Sequence, residues 1–243
     1  MPRFKITIQY DGTKFFGWQI QPSKRTVQGE LEKVISSFSD GEKIKVFGAG
    51  RTDTGVHALS QVAHFDLKTD LDTCSLIKAM NANLSEDILI ESLDVVPANF
   101  HARYSAQLRY YRYQCYTGNN VLFRNQSWIT GELDQSILQS AAETVIGEHD
   151  FLSFSKFRND MKDTMCKIYE SVWKKQDKML IYYVSGNRFL HHMVRYLTGT
   201  MVEISRGKCT IETFLSLLNN PEKNVQIFKA PPQGLILEKI NYA

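Results

Sequence analysis

Residues 43–67, "KIKVFGAGRTDTGVHALSQVAHFDL", decide what kind of fold this chain adopts. "KIKVFGAG" reads as one strand and "SQVAHFDL" as the next, with the loop "GAGRTDTGVHA" (48–58) between them. A dinucleotide fingerprint would need Gly-x-Gly-x-x-Gly opening a helix. Here Gly48, Gly50 and Gly55 have a different third spacing, and a strand follows. No Gly-Lys-Ser/Thr follows either, so the spacing argues against a phosphate-cradling loop. Only His57 lies near Asp53 as a further ligand, and hard cations need more carboxylates than the loop supplies. The loop is therefore expected to join two strands of a sheet, and neither a metal site nor a phosphate cradle is expected in it.

Working outward, "RFKITIQYDG" (3–12) alternates Phe4, Ile6, Ile8 and Tyr10 on one face and ends in a turn. "TVQGELEKVISSFSDG" (26–41) places Val27, Leu31, Val34, Ile35 and Phe38 on a helical stripe, with Thr26 as N-cap. "CSLIKAMNANL" reads as a helix and "DILIESLDVV" as a strand. The order strand–helix–strand–strand–helix–strand is that of a split βαβ, ferredoxin-like unit. The second half repeats it loosely. "SAQLRYYRYQCYT" is a long strand and "DQSILQSAAETVIG" a helix; "KIYESVWKK" and "KMLIYYVSG" pair as strands. "RFLHHMVRYLTGTMVEI" and "TIETFLSLLNN" read as helices, and "GLILEKI" as a closing strand. The expected class is α+β, with two ferredoxin-like halves, 1–103 and 104–243, sharing a largely antiparallel central sheet.

The composition, 43% hydrophobic and 23% charged, is that of an ordinary globular protein. Cys74, Cys115, Cys166 and Cys209 are widely spaced and form no Cys-x-x-Cys pair, which reads as separate reduced thiols without zinc. The N-terminus lacks a signal-peptide pattern and no apolar run could span a membrane, so a cytoplasmic location is expected. The net charge of +3 is unevenly spread. Between Asp94 and Glu132 no acidic residue occurs, while Arg103, Arg109, Arg112 and Arg124 fall there with five tyrosines. Arginines interleaved with aromatics suit a polyanion with stackable faces, which means nucleic acid; a solvated basic strand over a tyrosine core is the plainer reading.

From the residues alone Asp53 has two readings. It can form an Asx-turn while Gly50 and Gly55 take positive φ. It can instead be a reactive carboxylate, kept ionised by the nearby Arg51, in a loop whose glycines admit another chain.

The loop resembles the Gly-Arg-Thr-Asp-Ala-Gly-Val-His motif of the TruA family of tRNA pseudouridine synthases. Further stretches match in the family's order: "YDGTKFFGWQIQ" (10–21), "TVQGELE" (26–32), "QVAHF" (61–65), "FHARYSA" (100–106), "RYYRY" (109–113), "HDFLSF" (149–154), "FLHHMVR" (189–195) and "GLILEKI" (234–240). The resemblance spans nearly the whole chain. It implies the pseudouridine synthase fold and isomerisation of uridine to pseudouridine at positions 38 to 40 of the tRNA anticodon stem-loop. It also implies that no cofactor or metal is used and that the protein works as a homodimer.

By the same resemblance Asp53 is the catalytic aspartate, and Arg51 enters the gap left by a flipped base, where its planar guanidinium can stack and bind phosphate. Tyr111 gives the uracil a stacking face. Arg109 and Arg195 bind substrate. Arg188, His192 and Arg103 are expected to contact tRNA, and a helix through 188–195 would set Arg188, His192 and Arg195 on one face. On that helix His191 and His192 would diverge by about 100°. Thr54, Lys167 and Arg188 depart from the family pattern without removing a catalytic group. Two rival classes are a non-catalytic RNA-binding protein and an enzyme acting on small nucleotides.

Overall fold

A computed structural model describes residues 1–159, 161 and 163–242. The chain forms two compact units, Met1–Gln107 with Leu237–Ala243, and Leu108–Ile236. Among the described residues no helix is long and apolar enough to cross a membrane.

In the first unit, β1 (Arg3–Tyr10), α1 (Val27–Ser36), β2 (Phe47–Gly48), β3 (His57–Asp66), α2 (Thr73–Asn83) and β4 (Ile88–Val96) follow in the expected order. β1 lies between β3 and β4, antiparallel to both, and β2 pairs with β3. This is the ferredoxin-like arrangement. The alternation of β1 becomes burial, with Phe4, Ile6, Ile8 and Tyr10 all at most 4% exposed. Val27, Leu31 and Ile35 of α1 and Leu76 and Met80 of α2 are fully buried. Burying each such side chain contributes about 1.5–3 kcal/mol. Thr26 caps α1 by accepting from the Gly29 N–H at 3.3 Å, a contact worth about 1 kcal/mol.

The strand expected over 43–50 shrinks to β2, and the cause is local. The Val46 N–H donates to Glu32 Oε1 (3.1 Å), Gln28 Nε2 donates to the Val46 carbonyl (3.1 Å), and the Ile44 N–H donates to Ser36 Oγ (2.9 Å). Gln28, Glu32 and Ser36 recur every four residues on one face of α1, so helix side chains take the bonds a neighbouring strand would have made.

In the second unit, β5 (Ala106–Tyr116), whose first two residues belong to the first unit, pairs antiparallel with β9 (Met179–Gly186). β9 pairs with β8 (Met165–Gln176), and β8 with β7 (Gly147–Asp150), again antiparallel. The short β6 (Trp128–Ile129) runs parallel to β5. The order β5-β9-β8 repeats β1-β3-β2. The α+β class and the largely antiparallel pairing are therefore both present. α3 (Gln135–Glu143) packs on β8 and on α4 (Met193–Ser205), and α5 (Ile211–Asn219) follows. Ser171 of β8 ties these layers, donating to the Ala142 carbonyl (2.6 Å) and meeting the Tyr182 hydroxyl at 2.8 Å. β10 (Leu235–Tyr242) closes the chain, and its later residues lie with β3 in the first unit.

The helix expected from residue 188 begins at Met193. His192 sits at φ 66°, in the left-handed region, which ends any helix running through it. Upstream, the Asn187 N–H bonds the Lys167 carbonyl, and the Lys156 N–H bonds that of His191. Arg188 and His192 therefore do not share a helical face with Arg195. The imidazoles of His191 and His192 do not diverge; their centroids are 3.9 Å apart.

Candidate active-site residues

The loop between β2 and β3 is fixed along its whole length by its own unit. The Ala49 N–H bonds the Val62 carbonyl at 2.8 Å, and Gln61 Nε2 donates to the Gly50 carbonyl at 3.1 Å. The Trp18 N–H donates to the Thr52 carbonyl (3.1 Å), and the Gly55 N–H to that of Phe15 (3.3 Å). Thr52 Oγ1 lies 2.8 Å from the buried Tyr10 hydroxyl. A turn closes at Asp53, whose carbonyl accepts from the Val56 N–H at 3.1 Å. Each such bond contributes about 1 kcal/mol, so the loop enters any reaction already ordered.

Between these anchors Asp53 is part-buried and Arg51 is exposed, while Thr52 and Val56 face the interior. Gly55 has the expected positive φ, 79°, but Gly50 does not. A side chain at Gly50 would meet open space. The tight approaches come from elsewhere. A Cβ on Gly17 would lie 2.6 Å from the Thr52 carbonyl oxygen, and one on Gly12 2.1 Å from that of Val56. The Gly12 N–H also donates to Nδ1 of the buried His57 at 3.0 Å. That nitrogen is therefore an acceptor, and its 3.1 Å approach to Asp11 is not a charged pair.

Through Phe15, which receives the Gly55 N–H, the supports of the loop reach Arg25. Its guanidinium forks onto Asp87 at 2.7 and 2.8 Å, reaches Ser85 and Glu30, and stacks 4.1 Å from the Phe15 ring centre. The Arg25 partnership holds the Asp87 carboxyl below its usual range.

In the second unit β5 carries Arg109 and Tyr111 on one face. Arg109 donates to the Asn187 carbonyl at 2.6 Å, and the Tyr111 ring meets Phe189 edge-on at 5.1 Å. Both are part-buried. Tyr113, next on that face, is fully buried; its hydroxyl donates to the Pro231 carbonyl at 2.7 Å, and burial raises its pKa well above the ordinary phenol value. Arg195, 7% exposed, uses Nε to hold the Ala230 carbonyl at 2.8 Å, and the Ala230 N–H returns a bond to the Arg195 carbonyl. Arg195 and Tyr113 thus grip consecutive residues of one segment. Arg188 pairs with Asp163 at 2.6 Å on the surface. Arg103 is exposed in the first unit, its guanidinium 5.8 Å from the Tyr104 ring centre. Burial pushes the Cys166 thiol up to about 12, and that of Cys115 higher, so neither serves as a thiolate.

A family model described as tRNA pseudouridine synthase matches residues 6–105 and 141–243, which takes in the loop, β4 and α4. The chain belongs to the tRNA pseudouridine synthase family. Proteins named tRNA pseudouridine synthase A are similar along the whole chain. That of Dictyoglomus thermophilum is 43% identical and that of Dictyoglomus turgidum 41%, each over 100% of both chains. That of a Geobacillus species is 40% identical over 99% of this chain and 98% of its own. The protein is therefore an isomerase acting on tRNA.

In this tRNA pseudouridine synthase the scaffold of the site lies in residues that the sequence does not mark for chemistry. Tyr10, Gly12, Gly17, Trp18 and Gln61 hold the aspartate loop, yet none carries chemistry of its own. The glycines at 12 and 17, outside the glycine-rich loop, were the available signal.

Proposed function

We propose that Asp53 is the catalytic carboxylate of this synthase, and that the uridines isomerised are those at positions 38 to 40 of the anticodon stem-loop. The observation that supports this reading is the anchored loop, in which Thr52 and Val56 face the interior while Asp53 is part-buried and Arg51 exposed. In the reaction the bond from N1 of uracil to C1′ of the ribose breaks, the base turns, and C5 bonds to C1′. The C5 hydrogen leaves to water as a proton and N1 gains one. A carboxylate that need not reorganise suits a step passing near a cationic sugar.

The target lies in a paired stem, so the base must leave the stack at a cost of a few kcal/mol. The exposed guanidinium of Arg51 fills the vacated space. Tyr111, braced by Phe189, stacks on the flipped uracil, while Arg109 and Arg195 position Tyr111 and the substrate through their hold on Asn187 and Ala230. Arg103, Arg188 and His192 contact phosphates, Arg188 by exchanging Asp163 for RNA. Neither metal nor organic cofactor enters this scheme. Assembly as a cytoplasmic homodimer belongs to the same proposal.

The experiment is tritium release from tRNA labelled at C5 of uridine. Wild type releases label from unmodified tRNA, and Asp53→Ala and Asp53→Asn bind the tRNA but release none. Equal release by the variants would remove Asp53 from the chemistry.

A further inference from the structure

The motif "FHARYSA" builds a surface that the chemistry at Asp53 leaves unused. Within the first unit a row of rings adjoins. Phe47 stacks on His64 at 5.1 Å, His64 meets His101 at 4.7 Å, and His101 meets Tyr104 at 4.4 Å. His64 is buried, but Phe47 is 48% and Tyr104 77% exposed. Single exposed apolar groups are ordinary; two large rings at the open ends of one ordered row are not.

The segment that carries them is fixed. The Phe100 N–H bonds the Pro97 carbonyl and the Ser105 N–H that of His101, each at 2.9 Å. The His101 N–H bonds Ser105 Oγ at 3.1 Å. His101 Nδ1 accepts from the N–H groups of Arg103 (3.1 Å) and Tyr104 (3.4 Å). His64 Nδ1 accepts from the Ala102 N–H at 3.1 Å. Both imidazoles use Nδ1 as an acceptor, so in the neutral form each carries its proton on Nε2. The guanidinium of Arg103 lies beside Tyr104, and Lys45, two residues before Phe47 in the chain, is exposed. Asp66, the carboxylate that acts on His64, is forked by Arg3 at 2.8 Å on both oxygens. Preorganised flat rings beside a cation fit an unpaired nucleobase with its phosphate, because stacking supplies affinity without base identity and the cation takes the backbone.

We propose that Phe47, His101 and Tyr104 form a stacking platform for an unpaired nucleotide of the RNA substrate, with Arg103 and Lys45 on its phosphate. The proposal rests on the tRNA reading above and deepens it. The platform uses no residue of the aspartate loop, yet β2, which carries Phe47, runs directly into that loop. A nucleotide held there fixes the RNA with respect to Asp53.

The test measures tRNA affinity by fluorescence anisotropy at several salt concentrations. Phe47→Ala with Tyr104→Ala is expected to raise Kd about tenfold while leaving the salt slope unchanged, because an uncharged contact is lost. Arg103→Gln is expected to reduce the slope by about one. Phe47→Tyr and Tyr104→Phe keep the rings and should retain wild-type affinity, which separates stacking from misfolding. Tyr104→Trp adds an indole whose emission tRNA should quench. Unchanged Kd in the double alanine variant overturns the platform. So does a shift in oligomeric state at unchanged Kd, which would mean the rings cover a second copy of the chain. Absence of tritium release by wild type would instead overturn the synthase reading, so the two failures are distinguishable.

Discussion

The hydroxyl of Tyr10, at the end of β1, lies 2.8 Å from Oγ1 of Thr52, the residue immediately before Asp53. Both side chains are buried, at 4% and 8% exposure, so the contact is shielded from water. It links β1 to the neighbour of the residue whose carboxylate the reaction is proposed to use. Tyr10→Phe should cost about 1 kcal/mol, lowering the melting temperature by about 2–4 °C. If the contact orients Asp53, kcat falls with KM little changed. A fall in Tm with kcat preserved would make it purely structural.

Gly17 and Gly41 offer a matched comparison, with φ of 83° and 84°. Alanine at either meets the same backbone strain, about 1–2 kcal/mol. Only at Gly17 does the added carbon strike the Thr52 carbonyl; at Gly41 nothing lies within 4 Å. Gly17→Ala should therefore reduce tritium release at least a hundredfold, whereas Gly41→Ala should lose stability alone. Comparable activities in the two variants would show that the approach of residue 17 does not shape the loop.

Burial, followed by the nearby His101 and Arg3, holds the His64 pKa down to about 4 from an ordinary 6.5. The folded state therefore refuses a proton that the unfolded chain accepts. Stability is complete above pH 6.5 and declines as pH falls from there to about 4, by up to about 3 kcal/mol. His64→Asn keeps an acceptor for the Ala102 N–H and removes the titration. Urea midpoints at pH 7.5 and 5 should differ less in that variant than in wild type, and an equal difference would refute the assignment.

Arg25 clamps Asp87 with both ends of its fork while lying on Phe15, whose carbonyl receives the Gly55 N–H. Arg25→Lys keeps the charge but loses the fork and the flat stacking surface. The expected loss is about 1–3 kcal/mol in denaturant unfolding, with a drop in kcat larger than the change in KM. Wild-type kinetics in a destabilised variant would confine Arg25 to folding.

Periodicity made most of the fold legible. Phe4, Ile6, Ile8 and Tyr10 announce a half-buried strand, and Thr26 with the stripe from Val27 to Ile35 announces a capped helix, because both patterns are local. The shortness of β2 was not legible, since it depends on where Gln28, Glu32 and Ser36 point once α1 has packed. The helix start was not legible either, because a left-handed His192 is a tertiary outcome in a stretch with good helical spacing. At the site, the aspartate loop stood out by its glycines and by resemblance, but its supports did not. Gly12 and Gly17 look like ordinary turn residues until the carbonyls of Val56 and Thr52 are seen beside them.

The use of α1 side chains to satisfy residues 44–46 also has a bearing on solubility. A sheet margin with unspent N–H and C=O groups can recruit a strand from another molecule, the first step toward aggregation. Here the Val46 amide is already spent on Glu32 and its carbonyl on Gln28, while the Ile44 amide is spent on Ser36. The helix seals this margin with its own side chains, and the backbone leading into the aspartate loop is closed to intermolecular strand addition there.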